Sequence, residues 1–112
     1  MAEKRQTRKN LKVFMKVLDA DSEEVLGYLV NITTDGLMLT REGKIEPENL
    51  FRLRVILPSE VKGTTELVLA ATSRWCETDE DSPDFFNIGF QVTEPTKQDI
   101  KIIKQVMKKF CF

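Results

Sequence analysis

Along most of this chain, apolar residues return at every second position. Leu11, Val13, Met15 and Val17 share one face of a first run, within "LKVFMKVLDA". A second run, "EVLGYLVNI", leads through Asp35-Gly36 into "LMLT", which predicts a hairpin. In "LFRLRVILP", Phe51, Leu53, Val55 and Leu57 alternate with Arg52 and Arg54, and Pro58 ends the run. "TELVLAATSRWCE" is long, and "FFNIGFQVTE" alternates Phe86, Ile88, Phe90 and Val92. Short strands at regular spacing, with turn residues between them, predict an antiparallel sandwich or barrel.

After Pro95 the period changes. Ile100, Ile103, Val106, Met107 and Phe110 recur at helical spacing in "TKQDIKIIKQVMKKFCF". Thr96 is placed to cap this helix, Asp99 suits its positive end, and Lys108 and Lys109 suit its negative end. The expected architecture is mostly β: a small barrel with one C-terminal helix, about 96–110, packed on the barrel or on a partner. Residues 1–9 are polar and are expected to form a flexible basic leader, with residues 10–112 as a single domain. Residues 78–84, "TDEDSPD", read as an exposed acidic hairpin loop.

Charge and composition narrow the chemistry. The 112 residues carry a net charge of −1, so no global field draws in a polyanion. The charge is uneven, however. Lys4, Arg5, Arg8, Lys9, Lys12 and Lys16 stand near the start against Glu3 alone, which points to a local anionic partner. Cys76 and Cys111 lack metal-ligand spacing and read as reduced, intracellular thiols, with a single disulfide as the alternative. The first ten residues contain no apolar core of a signal peptide, and no run reaches the length of a membrane helix. A cytoplasmic protein with no membrane partner is expected. The absence of histidine removes the commonest general base, and the five glycines stand singly rather than in a phosphate-cradling loop. Neither an enzyme nor a cofactor is expected.

Two constellations remain. In "KRQTRK", Arg5 and Arg8 offer planar forks that match a phosphate or the O6/N7 edge of guanine, and Lys4 and Lys9 add charge. The plainer reading is a solvated leader. In "NITTDG", Asn31 and the Thr33 hydroxyl offer polar contacts, and Gly36 allows close backbone approach to a ligand. The plainer reading is a self-satisfied turn with Gly36 at positive φ.

Taken together the two stretches resemble the PilZ domain, a bacterial receptor module for cyclic di-GMP. That family carries RxxxR in a basic leader and (D/N)xSxxG at a later β-turn. Here Lys4 stands at the first Arg position and Arg8 at the second, with Arg5 similar to the extra Arg of an RRxxxR form. Asn31 and Gly36 match the second motif, and Thr33 stands in place of Ser. "SRW" followed by "FNIGFQV" is similar to the family's W…GxxF segment. The resemblance implies a six-stranded antiparallel barrel with a C-terminal helix. It implies cyclic di-GMP as ligand, held by Lys4, Arg5, Arg8, Asn31, Thr33 and Gly36, with a protein effector downstream. The alternative within the family is a protein adaptor that has lost the nucleotide. Lys4 keeps charge but lacks the bidentate fork, and Thr33 adds a methyl. A barrel binding single-stranded nucleic acid is disfavoured, because the phenylalanines fall on inward positions and the body is acidic. Trp75 reads as a core or rim aromatic. Arg74 reads more readily as solvated than as facing the ligand, and Arg52 and Arg54 as a solvated face.

Overall fold

The computed structural model describes residues 14–110. They form six strands and one helix: β1 (Lys16–Asp19), β2 (Val25–Ile32), β3 (Gly36–Glu42), β4 (Leu50–Ile56), β5 (Glu66–Thr78), β6 (Phe85–Val92) and α1 (Lys97–Phe110). The strands close into an antiparallel barrel in the order β1-β2-β3-β6-β5-β4. Leu11, Val13 and Cys111 lie outside the described residues, as do the leader and its Lys4, Arg5 and Arg8. β1 starts later than the alternation predicts, although the Met15 carbonyl still accepts from Leu29 N–H at 2.9 Å.

Period-2 alternation works because successive strand side chains point to opposite faces. Val17, Leu53, Val55, Leu39, Leu69 and Ile88 all turn inward and are fully buried. β1 closes the barrel on β4, with Val17 opposite Val55. Outside, the β4 arginines are more than a solvated row. Arg52 reaches Asp21 at 2.7 Å, while Arg54 bonds Glu66 at 2.7 Å and also Glu23. Glu66 first, then Glu23, hold the Arg54 guanidinium above its ordinary pKa. These pairs tie the β1–β2 turn to β4 and β5, and being exposed they are screened by solvent.

A reciprocal cap starts α1: Asp99 N–H donates to Thr96 Oγ1 at 3.0 Å, and Thr96 N–H donates to Asp99 Oδ2 at 2.9 Å. Ile102, Ile103, Val106 and Phe110 join the barrel's own core cluster, so the helix packs on the barrel. Gln105 fastens it further, accepting from Lys62 N–H at 3.0 Å and donating to Lys62 O at 3.3 Å. Among the described residues, no helix is long and apolar enough to cross a membrane.

One buried polar group holds the loop before β4. The Ser73 hydroxyl donates to Glu46 O at 2.7 Å and accepts from Asn49 N–H at 3.1 Å. Ser73→Ala leaves both partners unsatisfied and is expected to lower stability by about 1–3 kcal/mol, read from urea unfolding. An unchanged midpoint would mean that water replaces the hydroxyl.

Candidate ligand-binding site

The β2–β3 hairpin narrows at Thr33, whose N–H donates to Gly36 O at 2.8 Å. The Thr33 hydroxyl accepts from Asp35 N–H at 3.2 Å and Gly36 N–H at 3.3 Å, and donates to Gly36 O at 3.4 Å. Thr33 therefore replaces a backbone acceptor and shapes the turn, as Ser and Thr side chains do. Gly36 is not at positive φ, contrary to the turn geometry expected from Asp-Gly. Glycine is required there for space: a Cβ would lie 2.5 Å from the Phe90 carbonyl oxygen on β6.

Two β-bulges aim side chains at this corner. On β2 the pairing slips between Leu29 and Asn31, so that Asn31 faces Met38. On β5 it slips between Ser73 and Trp75, so that Trp75 faces Gly89. Bulges re-aim side chains and favour barrel rims and functional sites. On β5 strict alternation buries Leu67, Leu69, Ala71 and Ser73, and would bury Trp75 next. The bulge at Arg74 brings Trp75 out instead, to 39 % exposure. Its indole lies across Gly89, where a Cβ would sit 2.1 Å from the ring.

Asn31, Thr33, Gly36, Leu37, Met38, Arg74, Trp75, Gly89 and Phe90 line a cavity of about 300 Å3. The Asn31 amide makes no hydrogen bond to another described residue. The Arg74 guanidinium pairs with exposed Glu48 at 3.3 Å. Glu48 itself has φ 68°, in the left-handed region, held by a 2.6 Å bond from its N–H to Ser73 O. One half-open recess thus combines an aromatic face, a cation and an amide donor and acceptor. Its size is at the lower end for a small-molecule site. It suits a flat, polar-edged, anionic molecule. Among the described residues, no group of three His, Cys, Asp or Glu could hold a metal ion.

The structure therefore brings together Asn31, Thr33 and Gly36 of the expected site residues, and adds Arg74 and Trp75. Lys4, Arg5 and Arg8 are outside the described residues. "SRW" by itself does not mark the added pair: alternation puts Arg74 outside and Trp75 inside, and only the bulge brings Trp75 out beside Arg74.

The PilZ domain family model matches residues 3–109 of the chain. No curated protein sequence matches it. Among solved structures, it is similar to the Bacillus subtilis inhibitor of motility MotI/DgrA, with a TM-score of 0.70 and 17 % identity. That match covers 91 % of this chain and 50 % of the other, so the chain spans about half the length of that protein. At this identity the likeness concerns the fold.

Proposed function

The chain belongs to the PilZ domain family, and from that premise we propose that it is a cytoplasmic, non-enzymatic receptor for cyclic di-GMP that relays the nucleotide level to a protein effector. The observation that carries this reading is the convergence of Asn31 and its turn with Arg74 and Trp75 on one cavity. A guanine stacks on the Trp75 indole, and its edge meets the Asn31 amide. Arg74 supplies a fork for O6/N7 or a phosphate. Thr33 and Gly36 shape the turn that presents Asn31. Arg5 and Arg8 of the leader, with Lys4, close over the phosphates. Ordering the leader on the ligand alters the surface offered to the effector.

Calorimetric titration with cyclic di-GMP tests this, with Arg8→Ala and Asn31→Ala alongside. Saturable binding in the micromolar range or tighter, lost in both variants, is expected. No heat at high nucleotide concentration would sink the receptor reading.

The adaptor reading draws on one observation, the Arg74–Glu48 pair, which occupies the cavity's own cation. If the protein is a receptor, Glu48 competes with the ligand. Glu48→Gln should then tighten binding by about twofold to fivefold, the equivalent of one exposed ion pair. Unchanged affinity in the same titration would show that Arg74 does not touch the nucleotide.

A further inference from the structure

The outer face of α1 carries a cation row that the nucleotide site does not use. Lys97, Lys101, Lys104 and Lys108 follow one another at a four-three-four spacing and are exposed. At 100° per residue they fall within an arc of about 60°, over roughly 16 Å of helix. The arc lies directly opposite Ile102, Ile103, Val106 and Phe110, which bind the barrel. Lys109 stands about 80° round the helix from the row's nearer edge, and the Gln105 clamp holds Lys62 beside the row.

Helix stability does not account for this row. Lys108 and Lys109 suit the negative end, but Lys97 and Lys101 stand in the first turns, where the helix dipole disfavours a cation. Successive lysines three and four apart repel one another. A face kept only for solubility intersperses both signs. Here Asp99 is the only acid in the helix, and it is engaged in the cap. None of the five lysines pairs with an acid among the described residues.

We propose that this row docks an acidic helix of a partner protein, whose carboxylates repeat at the same spacing. Charge complementarity fixes the sign, and the straight, rigidly mounted row fixes the shape. A lipid surface fits less well, because stable attachment requires a second, apolar signal. Among the described residues, the exposed large apolar side chains all precede residue 86, and none is in α1.

The test uses fluorescence anisotropy with alanine-based helical peptides. One carries Glu at the four-three-four spacing, and a second has the same composition with Glu distributed around the helix. Binding of the matched peptide is expected to be about tenfold tighter than that of the distributed one, and to weaken steeply with salt. The double variant Lys101→Glu/Lys104→Glu should abolish it, and a matched Lys peptide should restore it. Thermal melting of the variant checks the fold. Equal binding of both peptides, or indifference to the charge reversal, would overturn the proposal. So would tighter attachment to phosphatidylserine vesicles than to the matched peptide, which would assign the row to membrane. No cavity-lining residue comes from α1. Cyclic di-GMP titration of the double variant should therefore match the parent, which keeps this test separate from that of the receptor.

Discussion

On the proposed receptor function, replacing Trp75 by alanine is expected to weaken cyclic di-GMP binding by about tenfold to a hundredfold, the equivalent of one lost base stack. Among the described residues, the indole is the only aromatic face exposed in the cavity beside Asn31 and Arg74: Phe90, the other aromatic of the lining, is buried at 4 % exposure. Removing it also uncovers the backbone at Gly89, so stability should fall by about 1–2 kcal/mol, and the titration belongs well below the melting transition. Trp75→Phe keeps a smaller platform and should recover most of the affinity. Gly89→Ala tests the same contact from β6. Its methyl displaces the ring, because a Cβ there would lie 2.1–2.5 Å from three indole atoms. Parent-like affinity in both Trp75→Ala and Gly89→Ala would remove the stacking step.

The barrel was legible because its core is built from uninterrupted alternation. Leu53, Val55, Ile88 and Val92 are buried where the period places them, and Pro95 and Thr96 mark the change to helix. The turn that contributes Asn31, Thr33 and Gly36 to the candidate site was equally legible. The roles inside that turn were less so. A glycine after an aspartate suggests positive φ, whereas here it answers to the Phe90 carbonyl on a strand more than fifty residues away in sequence. A regular strand is the wrong ruler for Arg74 and Trp75, because a bulge is a departure from the very period used to read it. The β4 arginines illustrate the same limit: alternation puts them outside, but only the fold brings Asp21, Glu23 and Glu66 to meet them.

Gly36→Ala is expected to cause the largest loss of stability among single methyl additions at this corner, about 2–4 kcal/mol. The atom in the way is a backbone oxygen, 2.5 Å from where the methyl carbon must sit, with the Phe90 carbonyl carbon at 3.6 Å. No rotamer change relieves that clash, so β3 must draw away from β6. Overpacking of this kind costs about 1–3 kcal/mol. The shift also strains two flanking bonds, Thr33 N–H to Gly36 O at 2.8 Å and Val92 N–H to Asp35 O at 2.9 Å. Each contributes about 1 kcal/mol. The melting temperature followed by circular dichroism should fall by about 10 °C or more. Gly63→Ala separates space from backbone conformation. Gly63 sits at φ 93° with nothing within 4 Å of a Cβ, so its substitution is strained only through φ, at about 1–2 kcal/mol. If Gly36→Ala melts within a degree or two of the parent, the β3–β6 seam is compliant, and Gly36 is kept for the ligand rather than for the barrel.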